Sequence, residues 1–300
     1  MNIRFFKTFC DVVDSGNLSR AASLNGVSQS AVSQQLTKME KDFGVTLIRR
    51  GGATATATTA GKAFYRGAQR IIREYEQMAG NVRSEEDTVS GTLRIAATYS
   101  VGCHVLNPLA GDLLERHPKV DLQIEYIKWN NIAPALLSGE MDLGIVDYPE
   151  KRRGIEVMPL EQEKMVMVCS PKHPLASRRS ISVMNLQDER FVAFRSQTPT
   201  GRYIQQMLRS RKVNVEVVRQ FDNIEMLMSS IEADAGLSIL PFACIARHVS
   251  DGYLSWASFH DGATWVRPIG VIRSREKPPG KIEEIFLAMI DQGQQRDKTD

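Results

Sequence analysis

The 300-residue sequence predicts an α/β chain in three parts. A small all-α unit is built on a winged helix-turn-helix, one long helix follows, and a larger domain of alternating strands and helices completes the chain. Three observations predict this. Residues 28–43 carry an apolar stripe at helical spacing, directly after a tight turn and a shorter helix. From residue 59 to about residue 86 a helical apolar stripe continues unbroken, longer than globular helices usually run. From Thr92 onward, short apolar runs alternate with amphipathic segments, the pattern of a parallel sheet with right-handed crossovers.

Taken in order, Ile3, Phe6, Cys10 and Val13 form the stripe of a first helix, which Asp14-Ser15-Gly16-Asn17 breaks. Ser19 is a candidate cap for a second helix over residues 20–24, where Ala21 and Ala22 permit close helix contact. Asn25-Gly26 is a tight turn, with glycine free to take positive φ. Ser28 then caps a third helix, because its hydroxyl accepts from a free backbone N–H one turn on. Val27 and Val32 have the spacing of a hydrophobic staple. Val32, Leu36, Met39 and Phe43 face a core. The opposite face carries Ser30, Ser33, Gln34, Thr37 and Lys41, polar and without carboxylates. Such a face fits a nucleic-acid groove, and it also fits a merely solvated helix. Residues 45–57 alternate small, β-branched and glycine residues around Gly51-Gly52, which fits a two-stranded wing.

Ala21-Ala22, Val27-Ser28-Gln29, Ala31-Val32-Ser33, Leu36, Glu40, Phe43-Gly44-Val45, Leu47, Arg50 and Thr58-x-Ala60-Gly61 resemble, in order and spacing, the winged helix-turn-helix of LysR-type transcriptional regulators. The later chain resembles the effector domain of that family. The resemblance implies sequence-specific binding to double-stranded DNA at an inverted-repeat operator. Gln29, Ser30, Ser33, Gln34 and Thr37 are the candidate groove residues, with Lys38, Arg49 and Arg50 against phosphate. The chain departs from the family in two places. The wing often carries an arginine near the position of Ala53, but residues 51–57 hold no charge, so either Arg49 and Arg50 at the wing base substitute or the wing contributes little. The commonly basic residue at Gln34 is absent, although glutamine can pair bidentately with adenine. Charge distribution agrees with a DNA partner. Residues 1–73 hold 11 Lys/Arg against 4 Asp/Glu, a net of +7, whereas residues 74–300 hold 27 against 31, a net of −4.

Thr59 is a candidate cap for the long helix, whose stripe runs through Ala63, Phe64, Ala68, Ile71, Ile72, Tyr75 and Met78. The resemblance implies a linker helix that pairs with its counterpart in a homodimer or homotetramer. A charged hinge at residues 84–91 marks the domain boundary. Strands are expected at residues 93–97, 120–127, 143–146, 165–169, 191–194, 215–218, 236–241 and 265–272. Helices are expected at 103–116, 132–137, 199–211, 224–233 and 281–290, with a frayed tail over 292–300. The expected division is 1–58 for the DNA-binding unit, 59–88 for the linker helix and 91–300 for the effector domain.

By resemblance, the effector domain is two-lobed and like a periplasmic binding protein. Lobe one spans 91–162 and 268–300, and lobe two spans 163–267. A small-molecule effector would lie between the lobes, near strand ends and helix N-termini. Thr98, Ser100 and Gly102 follow the first strand, and Ser196, Thr198 and Thr200 precede a lobe-two helix, with Arg195 or Arg202 as possible charge. The hydroxyls favour an anion, a carboxylate, but local helix capping explains them equally. RNA polymerase is a further partner the family implies.

Other classes find little support. No G-x-S-x-G, H-E-x-x-H or Walker pattern occurs, so no catalytic residue, metal or cofactor is assigned. An α/β enzyme fused to a DNA-binding unit is the alternative reading. Cys10, Cys103, Cys169 and Cys244 are widely spaced and read as buried thiols, with redox sensing as the alternative. No signal peptide and no apolar run of about 20 residues are evident, which points to the cytoplasm and to no membrane.

Overall fold

The structure, a computed structural model, describes residues 2–51, 54–83, 89–260 and 265–296. The first unit comprises α1 (Ile3–Ser15), α2 (Leu18–Leu24), α3 (Gln29–Phe43) and a wing of antiparallel β1 (Ile48–Gly51) and β2 (Thr54–Ala57). Its core is Phe9, Val12, Ala21, Ala22, Val32, Leu36, Met39, Leu47, Ile48 and Ala55. Val32, Leu36 and Met39 are fully buried, each contributing about 1.5–3 kcal/mol. Ser28 caps α3 by accepting from Ala31 N at 3.2 Å. The caps of two other helices fall one or two residues earlier than expected. Asn17 accepts from Ser19 N and Arg20 N, so α2 starts at Leu18 rather than residue 20. Asparagine reaches two amides there, whereas Ser19 is already inside the turn. Thr58 accepts from Gly61 N at 2.9 Å and caps α4 (Thr59–Arg83), a helix of 25 residues.

The larger domain follows as β3 (Gly91–Ala97), then α5 (Tyr99–Val101), a π turn (Gly102–Leu106) and α6 (Asn107–Arg116), which run on as one helix. Next come β4 (Val120–Tyr126), α7 (Trp129–Leu137), β5 (Leu143–Asp147), β6 (Ile155–Cys169), β7 (Ser180–Ile181), a 3-10 turn (Val183–Leu186) and β8 (Arg190–Phe194). The chain continues through α8 (Pro199–Ser210), β9 (Glu216–Phe221), α9 (Ile224–Glu232), β10 (Ser238–Pro241), α10 (Phe242–Ser250), β11 (Ser255–Phe259), β12 (Val266–Ser274) and α11 (Lys281–Arg296). Strand order in the main sheet is β4-β3-β5-β12-β6-β11-β7, with β10 also on β6; β8 and β9 form a separate parallel pair.

Helix and strand alternation is as expected, but the sheet is mixed rather than parallel. β3 pairs parallel with β4 and β5, and β11 parallel with β7, whereas β12 pairs antiparallel with β5 and β6, and β10 and β11 antiparallel with β6. β6 is 15 residues long, ten more than expected, because Pro159 and the charged run Glu161-Gln162-Glu163-Lys164 hide its pattern. Together β6 and β12 connect two halves whose cores stay separate. One half buries Leu93, Ile95, Leu143, Ile145, Val271 and Phe286 together. The other buries Met165, Met167, Phe191, Leu237, Ile239 and Ala257. α10 was not anticipated. α7 starts at Trp129 rather than residue 132, and α11 extends to Arg296 where a frayed tail was expected. Most of the expected hinge, residues 84–88, lies outside the described residues, as do Ala53 of the wing and tail residues 297–300.

Near the start of α11, Glu283 is buried beside Asp142 and Lys277, whose Nζ lies 2.9 Å from Asp142 and 3.8 Å from Glu283. Burial first, and then Asp142, push the Glu283 carboxyl up to about 7. The folded value lies above the unfolded one. The associated stability is therefore complete below the unfolded value and declines as pH rises through 7, by about 3 kcal/mol. Glu283→Gln is expected to flatten the fall in urea-derived stability between pH 5 and pH 8. An unaltered pH slope in the variant would exclude this titration.

Candidate functional site

Two surfaces gather the residues singled out from the sequence. The first is the polar face of α3 with the wing base. Gln29, Ser30, Gln34, Thr37 and Lys38 are exposed along α3, Ser33 is half-buried, and Arg49 and Arg50 are exposed on β1. The wing delivers Arg50 onto the helix. Its Nη1 donates to Ser33 Oγ at 2.9 Å and its Nη2 to Thr37 Oγ1 at 3.3 Å. Glu40 makes this possible. Its Oε1 accepts from Leu47 N at 2.8 Å and Ile48 N at 3.1 Å, tying the first wing strand to α3, and its Oε2 lies 3.9 Å from Arg50. Glu40 was not among the candidate site residues, although its place in the motif marked it.

The second is a cavity of about 490 Å³ between the halves of the larger domain. Thr98, Ser100, Thr198 and Thr200 line it, together with Arg195, whereas Gly102 and Ser196 do not. Gly102 lies under the Tyr126 ring, where a Cβ would sit 2.1 Å from a ring carbon, so its role is to admit that ring. Thr198 is committed to capping α8, accepting from Gly201 N at 3.1 Å. Thr98 Oγ1 is buried with no hydrogen-bond partner among the described residues. Thr200 donates to Asp147 Oδ2 at 2.6 Å, joining α8 to the end of β5. Further bridges lie alongside. Arg202 pairs with Glu150 at 3.2 Å and sits over the Trp129 ring at 5.0 Å, and Tyr148, at φ 47°, meets Tyr203 with centroids 4.9 Å apart. Arg202 thus spans the halves rather than lining the cavity.

Sequence reasoning missed three charged residues here. Asp147 ends a buried strand, and a carboxylate at that point is a legible signal. Arg267 interrupts the apolar run Trp265-Val266-Arg267-Pro268-Ile269, another legible signal. Glu163 carried none. Arg267 and Glu163 are register partners on β12 and β6, both buried. Arg267 Nε donates to Glu163 Oε2 at 2.6 Å, Nη1 to Ser100 Oγ at 3.0 Å, and Nη2 approaches Cys244 Sγ at 3.8 Å. Burial opposes the guanidinium charge, but Glu163, Cys244 and Asp147 outweigh it and raise its value. Helices begin on every side of the cavity. The helix continuous from Tyr99 starts after Thr98, α7 after Lys128, α8 after Thr198 and α9 after Asn223, and all four preceding residues are on the wall.

Both parts of the chain match family models. Residues 3–62 match the bacterial regulatory helix-turn-helix protein, lysR family, and residues 86–295 match the LysR substrate binding domain. The chain belongs to the LysR family of transcriptional regulators. This LysR-type chain is 25% identical over 284 residues to the HTH-type transcriptional regulator CysL of Bacillus subtilis, covering 95% of each. It is 24% identical over 285 residues to a probable RuBisCO transcriptional regulator of Porphyra purpurea, covering 93% of this chain and 90% of that one. Its fold is that of CbnR, a LysR family transcriptional regulator, at a TM-score of 0.72 with 21% identity, covering 97% and 99% of the two chains. The LysR chain is therefore a DNA-binding regulator with an effector-binding domain, and not an enzyme. Burial pushes the Cys10, Cys169 and Cys244 thiols up to about 12, whereas Cys103 is only half-buried. Among the described residues no helix is long and apolar enough to cross a membrane.

Proposed function

We propose that this regulator reads an inverted-repeat operator with α3 of two protomers and is switched by a small effector that presents a carboxylate to the cavity between its lobes. Residues 1–58 read DNA, 59–88 link and dimerise, and 91–300 bind the effector, with lobe one at 91–162 and 268–300 and lobe two at 163–267. The observation that carries the effector reading is the convergence of four helix starts with Ser100 and Arg267 on one cavity. Free N–H groups and helix dipoles favour an anion there. For the dimer, Ile71, Tyr75 and Met78 lie exposed on α4 at alternating steps of four and three, the seam of a helix pair. Two-fold symmetry should then appear as two half-sites in an operator footprint. A footprint over one half-site contradicts the dimer.

Ser100→Phe fills the cavity beside Arg267. It is expected to abolish both the calorimetric heat of effector binding and the effector-dependent change in transcription, with operator binding measured alongside. A Ser100→Phe protein that binds effector as before places the site elsewhere.

On the DNA side, Gln34, like Gln29, is an exposed residue of α3 able to make a bidentate contact. Gln34→Ala is expected to cost about 1–3 kcal/mol at the cognate operator. Titrations on random DNA should be unchanged, because phosphate contacts from Lys38, Arg49 and Arg50 remain. Equal weakening on both DNAs would remove Gln34 from base reading.

A further inference from the structure

Resting on the cavity as the effector site, we infer that the effector is amphoteric, a small acid whose ammonium group is received by Asp147 while its carboxylate lies beside Ser100 and Arg267. Among the described residues, the buried charges behind the cavity do not balance. Arg267 is 1% exposed, Glu163 6% and Asp147 8%, so one guanidinium serves two carboxylates. Arg267 is committed to Glu163, its cross-strand partner, through Nε at 2.6 Å. Asp147 receives a neutral hydroxyl, that of Thr200 at 2.6 Å. His104 does not restore the balance, because burial holds its imidazole below the ordinary value and therefore neutral at pH 7. Lys128 and Arg195 are exposed at the rim, and so is Asp222.

A carboxylate withdrawn from water is stable when it is paired with a cation and hydrogen-bonded. An ammonium group on the ligand supplies the missing charge at Asp147 through a charge-assisted hydrogen bond. The rest of the wall is of opposite character. Ser100, Arg267 and the first turns of the helices after Thr98 and Lys128 offer donors and positive potential to a carboxylate. An acid lacking the ammonium would bring a further negative charge to Asp147. An amine lacking the carboxylate would face the helix starts unpaired. The cavity, about 490 Å³, leaves room for an amino-acid side chain.

The test is calorimetry on the full chain at pH 7 with the proteinogenic amino acids, each binder compared with its deaminated and 2-hydroxy counterparts. The expected result is an amino acid that binds roughly ten- to a hundredfold tighter than its deaminated acid. In Asp147→Asn that ratio falls to near one. Should this variant fail to fold, the wild-type series decides alone. A deaminated or hydroxy acid binding as tightly as the amino acid overturns the inference, and leaves the cavity standing if Ser100→Phe blocks it. An amino acid whose affinity neither variant alters lies elsewhere and overturns both readings. Binding by none of the amino acids up to millimolar concentration also overturns the inference.

Discussion

Arg267→Met is expected to destabilise the protein by about 3–5 kcal/mol, because it leaves Glu163 as a buried, unpaired carboxylate. Methionine fills much of the volume, so the loss is electrostatic rather than a cavity effect. Among the described residues no other hydrogen bond compensates Glu163, since its Oε1 is already buried without a partner. The pair sits where β6 and β12 pass between the lobes, so the variant weakens the joint itself. Adding Glu163→Leu to Arg267→Met should recover most of the loss, since replacing both members of a buried pair by apolar groups is often neutral. The two effects are then strongly non-additive. Urea unfolding of the two single variants and the double variant measures this. A single-variant cost below about 1 kcal/mol would show that water reaches the pair.

Gly61→Ala is expected to cost about 3 kcal/mol, at the upper end for overpacking. A Cβ at Gly61 would sit 2.0 Å from the Leu47 carbonyl oxygen and 3.3 Å from Ala57 Cβ. The first is backbone at the entry to the wing, so no rotamer change relieves it. That carbonyl also accepts from Thr58 N at 2.9 Å and from Thr58 Oγ1 at 3.2 Å. Moving it therefore disturbs the cap of α4 as well. Because Leu47 and Ile48 are held by Glu40, the strain reaches α3 and the seat of Arg50. The measurable consequences are a lower thermal midpoint for residues 1–58 and weaker operator binding. An alanine variant with wild-type melting and DNA affinity would mean that α4 can shift away from the wing without cost.

The sequence by itself determined the local structure of the first unit. Periodicity placed Val32, Leu36 and Met39 in a core, Ser28 at a cap and the turn at Gly26, since each depends on neighbours a few residues away; Phe43, expected in the same core, is instead 52% exposed. Resemblance to the family marked Thr98 and Ser100, and hydroxyls around an expected helix start marked Thr198 and Thr200; all four line the cavity. Local pattern equally misled at Gly102, which accommodates the Tyr126 ring, and at Ser196, which is off the wall. Tertiary structure alone decided which groups meet. Arg50 reaches Ser33 across 17 residues, Thr200 reaches Asp147 across 53, and Arg267 reaches Glu163 across 104. The last contact depends on the register of β12 against β6, where a slip of one residue would turn every side chain to the other face. No spacing along the chain encodes that register, because packing of the two lobe cores on either side of the strands sets it. The long-range pairings that put charge in the cavity are therefore properties of the folded sheet.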